Sequence, residues 1–366
     1  MTNRSGVIDL IQEAEQSTMR MEIGEQPDIL KNTIRNNQPN LVKVHQDIFN
    51  KIILGEINNV LVVARGSSDN AATVGKYILE THTGLPVSLA APSVVNLYQA
   101  RLNLFKTLVI GVSQSGKTNE VIDFMKNVKD SAGYTIGITN VENSELTCLG
   151  LGSILLCHAG IERAVAATKS FSSTMMIFYL LASTLRISEK KEGGLEEIPD
   201  LIRQALKLEQ QIIGVADWLA SKDECVILAR GYNYPVALEA GLKLQESAYI
   251  RAKSFSGADF QHGPLAVTQP GIPFIIFKAA GPSYQGLDWL DREIAAKGGD
   301  MTIFSSEALE PEEGLSRRVI QVPSCQEWLS PFVFTVISQL LAYHTARIRG
   351  INPNAPRWLH KVTATM

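Results

Sequence analysis

Short apolar runs, each ending in a polar or glycine-containing turn, recur along the chain from residue 60 onward. The first is Val60-Leu61-Val62-Val63-Ala64-Arg65-Gly66, and Leu108–Val112, Thr135–Thr139 and Ser153–Cys157 follow it. The series then begins again with Cys225-Val226-Ile227-Leu228-Ala229-Arg230-Gly231, followed by Pro273–Phe277, Met301–Phe304 and Val319–Val322. Runs that are apolar throughout, rather than at alternate positions, belong to strands covered on both faces. Such strands alternating with helical segments predict parallel sheets flanked by helices. The strand ending in Ala-Arg-Gly occurs twice, each time ahead of a polar turn and a long helix. The chain therefore reads as an α/β protein of two tandem doubly wound domains, with sites at the carboxyl ends of the strands. The boundaries read as an N-terminal helical segment, 1–40, a first domain, 41–200, a second domain, 201–350, and a C-terminal tail, 351–366. The charged stretch Glu189-Lys190-Lys191-Glu192-Gly193-Gly194 marks the surface between the domains.

Length and composition narrow the function classes. The chain has 366 residues, 45% hydrophobic and 19% charged, enough for two globular domains. A net charge of -3 gives no general attraction to nucleic acid or to an anionic membrane, so recognition of a phosphate must be local. The apolar segment Met175–Leu181 is too short and too serine-flanked to span a bilayer and reads as a core helix. Met1–Ser5 carries no apolar core of a signal peptide. Cys148, Cys157, Cys225 and Cys325 form no CxxC pair and read as free, buried thiols of a cytoplasmic protein.

Three segments carry candidate chemistry. Ser113-Gln114-Ser115-Gly116-Lys117-Thr118 lies between the apolar run Thr107–Val112 and the helix-like Asn119–Met125. A strand-end loop opening into a helix offers backbone N–H groups and a positive helix end to an anion, and its hydroxyls add donors. The same residue types also cap an ordinary strand–helix turn, and the Walker spacing is absent. In the second half Glu239, Lys243 and Glu246 stand at i, i+4 and i+7 on one helical face, with Leu238, Leu242 and Tyr249 as an adjacent stripe facing the core. Spacing alone fits a solvated charged face or an acid–base site, and the following Asp259-Phe260-Gln261-His262-Gly263-Pro264 loop supplies a histidine. The tail Gly350–Lys361, with two prolines and two asparagines, is not helical, and Trp358 and Leu359 argue that it docks, bringing Lys361 to a site as an amine toward a carbonyl.

Taken in order, these segments resemble the SIS (sugar isomerase) family, and more narrowly the isomerase half of the glutamine–fructose-6-phosphate aminotransferases. The likeness begins at Met19-Arg20-Met21-Glu22-Ile23-Gly24-Glu25-Gln26-Pro27 and continues through Gly66-Ser67-Ser68, Ser113–Thr118 and Glu162–Lys169. It then takes in Ala237–Glu246, Gln261-His262-Gly263-Pro264 and Pro356–Lys361, so it covers nearly the whole chain. The resemblance implies that Ser113, Gln114, Ser115 and Thr118, with Ser67 and Ser68, bind a sugar phosphate, and that Val165 makes a backbone contact to the sugar. It makes Glu246 the base that moves a proton between C1 and C2, Lys243 an electrostatic partner close to the reacting carbons, and Lys361 the lysine that meets the open-chain carbonyl. His262 becomes the ring-opening acid–base group donated to the neighbouring subunit, which implies a homodimer.

The departures also inform. The aminotransferases begin with a glutaminase domain whose nucleophile is an N-terminal cysteine, whereas no cysteine here precedes Cys148, so glutamine is not the expected ammonia source within this chain. Lys117 replaces an acidic residue, Ala167 a serine and Gln245 a lysine, changes that bear on the sugar rather than on the phosphate. The implied reaction is an isomerising deamination of an amino-sugar phosphate, glucosamine 6-phosphate to fructose 6-phosphate and ammonia, needing no metal or redox cofactor. The alternatives are a deglycase of a glycated amino-acid 6-phosphate, a plain aldose–ketose isomerase, and a non-catalytic sugar-phosphate sensor. A sensor would have no use for Glu246, His262 and Lys361.

Overall fold

In the computed structural model the described residues are 18–187, 194–309 and 317–361. The stretch Glu189–Gly194, save Gly194, and the segment Met1–Ser5 fall outside them. The first sheet contains β1 (Asn59–Val63), β2 (Val87–Leu89), β3 (Thr107–Val112), β4 (Tyr134–Thr139) and β5 (Ser153–Leu156) in the order β2-β1-β3-β4-β5, all parallel. The second contains β6 (Glu224–Ala229), β7 (Arg251–Ser256), β8 (Pro273–Lys278), β9 (Asp300–Ser305) and β10 (Arg317–Gln321), also parallel, in the order β10-β9-β8-β6-β7. Read from the other edge, this is the same topology: the repeat heard in the sequence is a repeat of fold.

Burial follows the apolar runs. Every residue of β3 and of β8 is buried, as befits central strands with helices on both faces. In the first repeat Val63 and Val109 pack with Val121, Phe124 and Met125 of the helix Asn119–Val128. In the second, Leu228, Phe274 and Ile276 pack with Leu287, Leu290 and Ile294 of the helix Tyr284–Ala296. The helix Lys169–Thr184, which contains the serine-flanked segment, is buried along nearly its whole length and packs on the helix Ser67–Thr83.

Two strands, β2 and β7, carry no apolar run. Both are edge strands, so β7 needs only one covered side and reads Arg251-Ala252-Lys253-Ser254-Phe255-Ser256. At the opposite edge of the first sheet, β5 is closed by side chains rather than by another strand. Asn37 donates to the Leu156 carbonyl (2.8 Å) and accepts from its N–H (3.2 Å), while the Thr33 hydroxyl donates to the Cys157 carbonyl (2.6 Å). Both residues lie on the helix Gln26–Ile53, which runs well past residue 40. The cysteines are free, but only Cys157 and Cys225 are buried. Cys148 is exposed on the single turn Thr147–Leu149, and Cys325 is half-buried.

The chain divides into two compact units. One comprises the helix Thr18–Gly24, the segment Glu162–Thr168 and the chain from Glu197 to Lys361; the other comprises Asp28–Ile161 and the chain from Lys169 to the helix end near 184. Among the described residues no helix is long and apolar enough to cross a membrane.

Candidate active site

Doubly wound sheets bind ligands where the strand order reverses, outside the carboxyl ends of the strands. In the first sheet that reversal lies between β1 and β3. The loop after β1 delivers Ser67 and Ser68, both half-buried, at the start of the helix Ser67–Thr83. The loop after β3 delivers Ser113–Thr118. Ser113 is buried; its Oγ lies 2.8 Å from the Thr118 hydroxyl and accepts the Thr118 N–H (3.3 Å), and Ser115 Oγ accepts the Lys117 N–H (3.3 Å). Gly116 has φ 63°, and a Cβ there would overlap the side chain of Ser144, so the loop can close only through glycine. Thr118 precedes the helix Asn119–Val128 without capping it by its side chain. The loop hydroxyls bond one another instead, and the helix start is left to the backbone, an arrangement suited to an oxyanion. Arg65 of the first Ala-Arg-Gly is committed to Glu120 by a two-pronged pair (2.6 and 3.0 Å).

In the second repeat the helix Tyr234–Ala248 carries the charges, and the structure corrects the sequence reading of its faces. Glu239 and Lys243 are fully buried, whereas Leu238, Leu242 and Tyr249 are only half-buried. Lys243 Nζ lies 3.3 Å from Glu239 Oε1 and donates to Glu246 Oε2 at 2.7 Å. An ammonium flanked by two carboxylates can enter the interior, which a lone one cannot, so the charged face turns inward. Burial works against the Lys243 charge, but the two carboxylates outweigh it and hold its pKa above the ordinary lysine value. Glu246 keeps 24% of its side chain exposed. Beside it opens a cavity of about 620 Å³, lined by Gln245, Glu246, Tyr249, Arg251, Arg357 and Trp358 among others.

The tail docks, though not through the residues expected to anchor it. Trp358 is 85% exposed and Leu359 40%. The contacts are polar: Asn354 accepts the Met19 N–H (2.9 Å), the Arg357 N–H donates to the Tyr249 hydroxyl (2.7 Å), and the Arg357 guanidinium stacks over the Tyr249 ring. Lys361 Nζ then donates to Glu162 Oε2 (2.6 Å) and to the Ala164 carbonyl (2.7 Å). Glu162 is itself fixed by the N–H (2.9 Å) and hydroxyl (3.2 Å) of Thr168. Pro353 and Pro356 are buried, and these bonds fix the course between and beyond them. Val165 is half-buried next to the carbonyl that receives Lys361. His262 is exposed at the end of the helix Gly257–Gln261, its backbone turned by Gly263 at φ 126°.

Of the sequence-predicted site residues, Ser67, Ser68, Ser113, Gln114, Ser115 and Thr118 belong to one compact unit. Val165, Lys243, Glu246, His262 and Lys361 belong to the other. Within the latter, Lys243 meets Glu246, and Val165 sits beside the Lys361 contact. Sequence reasoning assigned no role to Glu162. It opens the family-like segment Glu162–Lys169, but only the fold brings residue 361 to it.

Two sheets of identical strand order, each with a glycine turn after its first strand, define a duplicated α/β protein with ligand-type crevices at the strand ends. The chain belongs to the SIS domain family, which matches it twice, over residues 53–184 and 218–349. It is 32% identical over 349 residues to the glutamine–fructose-6-phosphate aminotransferase [isomerizing] of Pyrococcus horikoshii and 33% identical over 352 residues to that of Legionella pneumophila strain Paris. In both cases the match covers 94% of this chain and 57% of the relative, so the chain spans little more than half their length. The C-terminal domain of glucosamine-fructose-6-phosphate aminotransferase from Francisella tularensis superposes with a TM-score of 0.83 at 26% identity, covering 93% of this chain and 98% of that one.

Proposed function

We propose that this protein is a phosphosugar isomerase whose reaction releases an amine, converting glucosamine 6-phosphate to fructose 6-phosphate and ammonia. The observation that carries the reading is the Glu246–Lys243 pair, a carboxylate partly in water, resting on a buried ammonium beside an open cavity. Such a carboxylate can take a proton from carbon and return it without leaving its partner. The aminotransferase relatives are named for an isomerising reaction on fructose 6-phosphate with transfer of an amino group; the proposed reaction runs that chemistry toward release, which needs only water as second reactant.

The steps balance. His262, acting on a neighbouring subunit's sugar, moves the O1 proton to the ring oxygen and opens the pyranose to the aldehyde. Glu246 takes the C2 proton while the C1 oxygen takes up a proton from water, giving an enaminol. Glu246 then returns its proton to C1, and the resulting iminium nitrogen gives one proton back to water, leaving an imine at C2. Water adds to that imine and ammonia leaves, giving the ketose. Lys361, hydrogen-bonded to Glu162, stabilises charge developing on the C1 oxygen. Ser67, Ser68, Ser113, Gln114, Ser115 and Thr118 take the phosphate, and the Val165 backbone contacts the sugar.

The test is a panel of 6-phosphosugars with ammonia, free amino acid and ketose assayed separately. Glucosamine 6-phosphate should yield ammonia and ketose in equal amounts. Ketose from a plain aldose phosphate, with no nitrogen released from any amino sugar, would make the enzyme a simple isomerase. A free amino acid from a fructosamine 6-phosphate would make it a deglycase.

A further inference from the structure

The second repeat has the same reversal of strand order, between β6 and β8, and therefore a second crevice. Its entry turn copies the first: Gly66 and Gly231, each closing an Ala-Arg-Gly, have φ 59° and 61°. On the other side, Gly281 and Ser283 follow β8, and Ser283 precedes the helix Tyr284–Ala296. This crevice is filled by the chain itself. Glu327, on the turn Glu327–Leu329 ahead of the helix Ser330–Ile348, is only 8% exposed. Its Oε2 accepts the Ser283 N–H at 3.4 Å, and its Oε1 lies 3.3 Å from where a Cβ at Gly231 would stand. A Cβ at Gly281, where φ is 144°, would overlap Oε2. Gly281 thus has no room for a side chain beside the carboxylate, while Gly231, whose positive φ already favours glycine, lies in close contact with it.

What makes this an anion site is what Glu327 lacks. Among the described residues no lysine, arginine or histidine forms an ion pair with it. Lys278, the last residue of β8, is taken by Asp288 and Asp291 at 2.8 Å each. A buried carboxylate without a cation needs compensation from oriented dipoles, and the starts of two helices, Tyr284–Ala296 and Tyr234–Ala248, supply it. The Ser283 hydroxyl is buried there with no hydrogen-bond partner, a donor in reserve. Ser330 Oγ donates to the Glu327 carbonyl (2.6 Å), and Asn233 donates to Ser330 Oγ (2.8 Å), fastening the plug to the turn that opens the second of those helices.

We propose that the crevice between β6 and β8 is an oxyanion-binding site whose resident ligand is the Glu327 carboxylate, and that it takes up a small carboxylate from solution when this side chain is cut back. The proposal stands on the second repeat's contacts alone and is independent of the reaction proposed above. The test uses the full chain with Glu327→Ala and follows thermal unfolding in sodium formate against sodium chloride at matched ionic strength. The variant should melt about 5 °C below the wild type, and formate should recover at least half of that loss saturably while leaving the wild type unmoved. A variant as stable as the wild type, or one that formate does not rescue, overturns the proposal. Should Glu327→Ala yield no folded protein, Glu327→Gln decides. The amide fills the crevice without the charge, so it should melt lower and ignore formate, and a Gln variant melting with the wild type overturns the proposal equally.

Discussion

The helix that follows the first strand of each repeat occupies the same place in the topology and packs on a partner helix of the same kind, yet the two are filled with opposite chemistry. Ser67–Thr83 packs on Lys169–Thr184, with Gly75 against Phe178, and buries the small and apolar Ala71, Ala72 and Val74. Tyr234–Ala248 packs on Ser330–Ile348 and buries Glu239 and Lys243. A buried ion cluster is seldom more stable than an apolar replacement of similar shape, whereas small apolar contacts stabilise directly. Beyond its first residues, Ser67 and Ser68, the first helix therefore serves packing. The second gives up stability to hold a carboxylate, Glu246, at a fixed position with one side open.

The sharpest break of this comparison is Glu246→Gln. It keeps size and hydrogen bonding but removes the proton carrier, so ammonia release should fall by on the order of a hundred- to ten-thousand-fold while sugar-phosphate affinity, measured by calorimetry, changes little. Normal turnover by this variant would take Glu246 out of the reaction. Next comes Lys243→Met, which leaves Glu239 buried without its counter-charge and should destabilise the fold by about 3–5 kcal/mol in urea unfolding. Adding Glu239→Gln should restore part of that loss, because it removes the buried carboxylate that Lys243 faces in the wild type. In the first repeat Gly75→Ala sets two effects against each other. Alanine favours the helix by about 1 kcal/mol over glycine. However, its Cβ would overlap the buried Phe178 ring, and overpacking costs about 1–3 kcal/mol. The clash should win, giving a modest net destabilisation with the catalytic rate unchanged.

The central strands were legible because burial on both faces leaves short continuous apolar runs, each closed by a turn, unlike the longer apolar run Met175–Leu181 inside a helix. The strands β2 and β7 were not, since polar residues interrupt both, whereas the edge strands β5 and β10 keep an apolar run. The position of Glu239, Lys243 and Glu246 on a common face was legible from helical spacing alone. Which way that face points was not, because spacing reports neighbours on a helix and says nothing about what lies opposite. The tail shows the same limit. Trp358 looks like an anchor by composition, but the course is fixed by Asn354, Arg357 and Lys361, whose partners lie far away in sequence. Glu162 lies in a family-like segment and Glu327 in none, and in both cases only tertiary structure supplies the partner.

The smallest effect concerns a second charged cluster near the same helical layer. Glu209 accepts from Arg20 through both oxygens (2.6 Å each) and lies 2.8 Å from His344 Nε2. Burial alone would raise its pKa, but the hydrogen bonds from His344 and Arg20 prevail and bring it down to about 2. A carboxyl whose pKa is lower in the folded than in the unfolded chain stabilises the fold above its unfolded value, near 4.5, and ceases to do so as the pH falls toward its folded value. The melting temperature should therefore decline between about pH 4.5 and pH 2 by more than the first repeat's exposed pairs could account for, since Arg65 and Glu120 are considerably more open to solvent. Glu209→Gln should melt lower than the wild type at neutral pH and show a shallower acid limb, so that the two curves approach each other as the pH drops. Parallel curves over that range would show that the Arg20–Glu209–His344 contact contributes nothing through its charge, and the contrast between the ion-bearing second repeat and the apolar first would then rest on the Glu239–Lys243–Glu246 cluster alone.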